Sequence, residues 1–381
     1  MNYFSIAKTF FVKKSPIDVT FFVTNKCNAR CRHCFYHESL NRREEELSLP
    51  EIRRIFHGLR PLARVLLSGG EPFLHKDIDE IVKIIHKAGD VHRIKIPTNG
   101  TVSDKILSDV RSILKECPHL TLDIGVSLDG LDEDRDHVMG IEGSFRRSMN
   151  TYTRLQCLKK EHPNLIVGVI ITQMHSNQER ISEIYSYACH TLKADSISFC
   201  GVRGSSFKPE EMDIDIGIYE NIVKKIKIDT QNKGTLLNRI YEYQRNKAYD
   251  YVLETRRRGK RVIPCYSGQI KLVITPKGDV YPCEEFMLTE KTAFQYGNLR
   301  DYNYDIKSMM RCEKARKIIK HIMDQKCWCC NECDMSVSVF FNLGLLLKRL
   351  QPSGSSQRSF FPFINAVPME RKGHATKSPL S

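Results

Sequence analysis

The stretch CNARCRHCFY places Cys27, Cys31 and Cys34 in a C-x3-C-x2-C spacing. Thiolates held this closely suit zinc or an iron–sulfur cluster, and either usually takes four protein ligands. Three thiolates from one loop can hold three irons of a [4Fe-4S] cluster and leave the fourth open to a substrate or cofactor, as a catalytic zinc site keeps an open position. A zinc site completed by His33 or His37 satisfies the same spacing. The loop alone leaves both readings open.

The elements that must position this loop alternate β-rich runs with amphipathic helical ones. IDVTFFVT (17–24), RVLLSGG (64–70), RIKIPTNG (93–100), LTLDIGVSLDG (120–130), LIVGVIITQ (165–173) and DSISFCGVRG (195–204) read as strands with their exits. Segments such as LPEIRRIFHGL and VSDKILSDVRSILKE between them carry apolar residues at helical spacing. Repeated β-then-α order predicts a parallel sheet with right-handed crossovers, and six such units favour a partial (βα)6 TIM-like barrel. In such folds ligands bind at the carboxyl ends of the strands. The cysteine loop, GGEP, TNG, SLDG and RG all lie at strand exits, so they are expected to share one mouth.

The barrel is expected over 1–210 and a helical connector over 211–262. A smaller α+β unit with a second set of cysteines is expected over 263–345, and a loose tail over 346–381. The opening MNYFSIAKTFFVKK reads as a lead-in helix without the apolar core of a secretory signal. No run approaches the roughly 20 apolar residues of a membrane span. Fourteen cysteines without an export signal point to metal or cluster ligation in a reducing cytoplasm. A net charge of +14 admits nucleic acid, anionic substrates or an acidic redox partner without choosing among them. The densest basic run, Arg256 to Arg261, closes a helical pattern, where cations complement the carbonyl end of the helix dipole.

CNARCRHC followed at the next strand exit by SGGEP resembles the radical S-adenosylmethionine (SAM) superfamily. The resemblance implies that the missing fourth ligand is SAM, chelating the open iron through its amino and carboxyl groups. It maps contact with the methionine amine onto Gly69, Gly70 and Glu71. Two glycines permit close backbone approach and a carboxylate suits an ammonium group. Asn99, Ser127, Asp129 and Arg203 are the corresponding candidates for ribose, carboxylate or substrate contacts. His33 stands where the family often has an aromatic residue near adenine.

CYSGQIKLVITPKGDVYPC resembles the opening of the SPASM and twitch auxiliary-cluster domains, with Cys265, Gly278 and Cys283 in register. It reads as a β-hairpin turning at PKGD. CWCCNEC then supplies Cys327, Cys329, Cys330 and Cys333. Too few cysteines follow for two clusters, so one auxiliary [4Fe-4S] cluster is expected. Cys333 is the favoured third ligand, with the fourth open among the other three.

The resemblance implies that a reduced cluster cleaves SAM to a 5′-deoxyadenosyl radical that removes hydrogen from a peptide or small molecule. The auxiliary cluster implies an oxidative maturation or biosynthetic step. The implied partner is a one-electron donor such as flavodoxin or ferredoxin; nucleic acid is not expected. Only 26 residues precede Cys27, so a fused leader-recognition domain is not expected. An RNA-modifying radical SAM enzyme and a non-enzymatic iron–sulfur or zinc protein are the alternatives.

Overall fold

The six β-rich runs form strands, and the helices between them bury the residues that recur at three- and four-residue spacing. A computed structural model of the chain describes residues 9, 11–13, 15–230, 236–289 and 292–345. Most of the expected lead-in helix and all of the tail from 346 lie outside them. In chain order the first half runs β1 (Asp18–Thr24), α1 (Leu49–Leu59), β2 (Arg64–Gly69), α2 (Ile78–Gly89), β3 (Arg93–Thr98), α3 (Ser103–Glu116), β4 (Thr121–Ser127), α4 (Asp132–Met139), α5 (Ser144–Lys159) and β5 (Leu165–Gln173). The second half runs α6 (Ile181–Ser186), β6 (Ile197–Gly201), α7 (Ile216–Thr230), α8 (Leu236–Arg258), β7 (Lys271–Ile274), β8 (Asp279–Tyr281), α9 (Glu284–Thr289), β9 (Gly297–Asn298), α10 (Ile306–Arg311), α11 (Glu313–Met323) and α12 (Glu332–Phe340).

Among the described residues these strands make one sheet in the order β6-β5-β4-β3-β2-β1-β7-β8-β9. From β6 to β7 every pairing is parallel, as the crossover order requires. The expected hairpin is β7 and β8, antiparallel about the PKGD turn. Its first strand does more than turn: β7 continues the barrel sheet, with Asp18 to Phe21 registered against Lys271 to Ile274. The cysteine-bearing segment is thereby built onto the barrel's first strand. Residues Met1–Leu343 accordingly form one compact unit, and the second, Gly344–Ser381, has only 344 and 345 described.

The sheet does not pair β6 with β7, and the first turn of α12 bonds to both. Glu332 Oε1 accepts from Gly201 N at 3.0 Å and from Tyr219 Oη at 2.8 Å. Asp334 Oδ1 accepts from Lys271 Nζ at 2.7 Å and Ser267 Oγ at 3.0 Å. Lys271 and Asp334 are both buried, so removing either partner would strand a charge, at a cost of about 3–5 kcal/mol.

At the other side Glu51 ties α1 to the segment before α10. Its carboxylate accepts from Ser48 N (2.7 Å), Arg300 Nε (2.7 Å) and Tyr304 Oη (2.8 Å). Burial alone would raise its pKa, but the bonds from Arg300, Ser48 and Tyr304 prevail and hold it at about 2. A depressed carboxylate adds stability above its unfolded pKa and loses it as pH falls through the folded value. Glu51→Gln should therefore be less stable than wild type at neutral pH, with the gap closing between about pH 4.5 and 2. Urea midpoints across that range measure this; a gap that does not narrow would show that the Glu51 charge is not the stabilising feature.

Candidate functional site

The cysteine loop leaves β1 and is fixed from three sides. Asn41, held at positive φ, brackets Cys27: Cys27 N donates to Asn41 Oδ1 at 2.9 Å, and Asn41 Nδ2 donates back to Cys27 O at 3.0 Å. Arg30 N and Arg32 N, flanking Cys31, donate to the carbonyls of Met139 and Val138 at the end of α4. Asn28 exchanges hydrogen bonds with the exit of β3, donating to Thr101 Oγ1 and accepting from Asn99 Nδ2, each at 2.9 Å. The three thiols act electrostatically on one another. Burial pushes Cys27 to about 11 and Cys34 to about 12, and Cys31 well up, where Cys34 and Asp129 add to the effect. Such thiols become thiolates when a bound cation compensates the charge.

The exits of β2, β3 and β4 converge on this loop. The glycines of GGEP serve backbone packing: a Cβ on Gly69 would lie 2.1 Å from Thr24 O, and one on Gly70 2.2 Å from Lys26 O. Gly70 N and Glu71 N donate to those same two carbonyls. Gly69 and Gly70 thus let the β2 exit approach the start of the cysteine loop. Glu71 is buried and accepts from Asn99 N (2.7 Å), Thr98 Oγ1 (2.9 Å) and Phe73 N (3.2 Å). Burial raises its pKa to about 7 against the lowering effect of those bonds. Ser127 ends β4. Asp129, just beyond, accepts from Thr172 N at 2.7 Å and faces His33 Nε2 at 3.7 Å. His33 thus meets a carboxylate. Gly130 lets α4 approach, since a Cβ there would stand 2.7 Å from Arg135 N.

Arg203, at the exit of β6, joins the two cysteine sets. Its guanidinium donates to Glu284 Oε2 at 2.5 Å and lies 5.1 Å from the centre of the Phe35 ring. Phe35 adjoins Cys34 and Glu284 adjoins Cys283. Burial would lower the pKa of Arg203, but Glu284 holds it charged.

In the second set, Cys283 lies within electrostatic reach of Cys329 and Cys265, and both Cys327 and Cys329 within reach of Cys265. Arg261 stands among them, its Nη1 donating to Cys329 Sγ at 3.7 Å. The charged neighbours of Cys330 include Arg256, Glu332, Arg261 and Glu285, and those of Cys333 include Lys271, Arg203, Glu284 and Arg64. Asn331 caps α12 by accepting from Cys333 N and Asp334 N, so Cys333 sits in a helical first turn.

Comparison with known proteins finds two domains in the chain. The Radical SAM superfamily profile matches residues 21–188, and an iron–sulfur cluster-binding (SPASM) domain profile matches 265–334. Residues 21–188 are a radical SAM domain. AlbA, the antilisterial bacteriocin subtilosin biosynthesis protein of Bacillus subtilis (strain 168), is 24% identical over 82% of this chain. The match spans 65% of AlbA's length, under two thirds of it. A GTP 3′,8-cyclase of Clostridium perfringens (strain 13 / Type A) is 25% identical over 80% of this chain and 88% of its own. The structure of Streptococcus suis SuiB bound to precursor peptide SuiA superposes with a TM-score of 0.57 at 17% identity, covering 83% of this chain and 69% of that one. That likeness establishes the barrel fold.

The two domains imply a [4Fe-4S] cluster with SAM and auxiliary iron–sulfur binding. Among the described residues no three His, Cys, Asp or Glu side chains stand in the arrangement of a single-ion site. The fit of this chain to clusters rests instead on its donors: a set of three thiols and a set of four, each beside a buried arginine, Arg135 and Arg261. Among the described residues no helix is long and apolar enough to cross a membrane.

Asn28, Asn41, Arg135, Arg261 and Glu284 went unrecognised as site residues in the sequence. Arg261 carried a signal, as the last member of the basic run, but it is buried among thiols rather than at the helix end.

Proposed function

We propose that this protein is a radical SAM maturase that oxidises a peptide substrate in the barrel mouth. The observation that carries the reading is the joining of the two thiol sets through the Phe35–Arg203–Glu284 contact. When bound, a cluster with SAM supplies the one-electron chemistry that cleaves SAM and removes hydrogen from substrate, and an auxiliary cluster supplies an electron acceptor. Cys27, Cys31 and Cys34 would hold the first group. Cys265 and Cys283, with partners from Cys327, Cys329, Cys330 and Cys333, would hold the second.

The remaining residues bind and orient. Asn41, Asn28 and α4 fix the loop so that its thiols stay where β1 delivers them. Glu71 uses three hydrogen bonds to keep its carboxylate in place beside Cys27, leaving acceptor capacity for an ammonium group. Asn99, Ser127 and Asp129 lie at neighbouring exits suited to the rest of the cofactor. Burial of Glu71, Asp129 and Glu284 excludes water from the mouth.

A peptide substrate is supported by the likeness to AlbA, a bacteriocin biosynthesis protein, and to SuiB bound to a precursor peptide. The GTP cyclase likeness marks small molecules as the alternative class. A cytoplasmic location and a flavodoxin- or ferredoxin-type donor belong to the same proposal, which the free state of all fourteen thiols suits.

Anaerobic reconstitution followed by dithionite and SAM should yield 5′-deoxyadenosine by chromatography, and none would end the reading. A precursor peptide encoded beside the gene should lose hydrogen by mass spectrometry; an unchanged peptide alongside a consumed small molecule would move the substrate to that class. Glu71→Gln should raise the SAM dissociation constant by roughly tenfold, the size of a lost charge-assisted hydrogen bond. Calorimetry with an unchanged constant would remove Glu71 from the cofactor site.

A further inference from the structure

The C-terminal carbonyls of α4 hold the cysteine loop on both sides of Cys31: Arg30 N donates to Met139 O at 3.0 Å and Arg32 N to Val138 O at 2.9 Å. One helical turn earlier on α4 is Arg135, whose side chain is fully buried at 0% exposure. Its Nη2 donates to Asn99 O at 2.9 Å and Ser148 Oγ at 3.0 Å. Nε and Nη1 are buried without a hydrogen-bond partner.

The charged groups that act on this guanidinium are Asp129, Cys31 and Asp136. Neither aspartate is free to serve it. Asp129 Oδ1 accepts from Thr172 N and its Oδ2 faces His33, while Asp136 accepts from Gly143 N, Ser144 Oγ and Phe145 N. Buried donors left idle are costly, so Nε and Nη1 call for an acceptor, and Cys31 is the charged neighbour of Arg135 besides the two aspartates. Cluster-bound thiolates and sulfides are such acceptors, and hydrogen bonds to them are among the factors that set a cluster's potential.

We infer that Arg135 is a positioning and tuning residue for the cluster held by Cys27, Cys31 and Cys34, its two idle donors serving the sulfurs around Cys31. This rests on the radical SAM reading. Reduction adds one electron to the cluster, and a buried cation nearby favours the more negative state, so Arg135 raises the reduction potential.

The test is an EPR-monitored redox titration of the reconstituted full-length protein with Arg135→Met and Arg135→Lys. The first cluster of Arg135→Met should titrate at least about 59 mV more negative, a tenfold change in the one-electron equilibrium. Arg135→Lys, which keeps the charge but not the fork, should shift less. The auxiliary cluster should keep its midpoint in both, serving as the internal reference. If Arg135→Met does not take up the first cluster, the Arg135→Lys midpoint decides.

Unchanged midpoints overturn the inference, also where SAM affinity falls, since Arg135 would then be a cofactor contact alone. The underlying reading has its own readout. A wild-type EPR spectrum that does not respond to SAM would overturn that reading and the inference together, whereas a normal SAM response with unmoved variant midpoints overturns only the inference.

Discussion

Replacing Cys27, Cys31 and Cys34 together by alanine is expected to abolish reductive cleavage of SAM while about four irons stay bound elsewhere in the molecule. The expected loss is complete because all three thiols come from one loop and the described structure offers no substitute set beside them. Of the alternative donors, His33 already faces Asp129 at 3.7 Å and His37 Nδ1 lies 3.0 Å from Cys34 O. The loop should keep its shape without the thiols. Its anchors are the Asn41 bracket, the α4 carbonyls and the Asn28–Asn99 pair, which do not pass through sulfur. Circular dichroism should therefore match wild type, and iron analysis should find the auxiliary cluster. Undiminished 5′-deoxyadenosine from the triple variant would sink the assignment of this loop as the SAM-cleaving site.

Much of the barrel was legible because its information is local. Residues such as Val19, Phe21, Ile94, Ile96, Leu122 and Ile124 are buried members of short β-rich runs, and the helices between carry a strong apolar stripe. The convergence of strand exits followed from parallel βα order alone. What resisted reading was non-local. The parallel pairing of β7 with β1 joins Lys271 to Asp18, more than 250 residues apart, through a four-residue strand that by itself suggests only a hairpin.

The site residues that escaped notice share another cause. Arg135 sits in LDEDRDHVM, a charged run that resembles a solvated helix, and only the approach of α4 to the cysteine loop buries it. Asn28 and Asn41 lie in polar stretches where their backbone-bracketing roles have no sequence signature. The glycines of GGEP permit close backbone approach, and in the fold they pack against Thr24 and Lys26 at the start of the cysteine loop. Composition reports that a residue type permits close contact; the fold determines with what.

The second large effect concerns the auxiliary cluster. Wild-type protein is expected to bind about eight irons, four in each of an open three-thiolate cluster and a closed four-thiolate one. Cys265→Ala/Cys283→Ala should fall to about four irons, keep SAM cleavage and lose turnover of the true substrate. Spacing alone favoured Cys333 as the next ligand. In the fold Cys327 and Cys329 lie within electrostatic reach of Cys265, Arg261 donates to Cys329, and Cys333 has Lys271 and Arg203 among its charged neighbours. Cys327→Ser/Cys329→Ser should therefore also fall to about four irons, whereas Cys333→Ala should keep about eight. Iron analysis with Mössbauer spectra decides between the two sets. Loss of the second cluster in Cys333→Ala, with retention in Cys327→Ser/Cys329→Ser, would mean that metal binding unwinds the first turn of α12 and breaks the Asn331 cap. About four irons in wild type would remove the auxiliary cluster altogether, and about twelve would require a second auxiliary site drawing on Cys330 and Cys333.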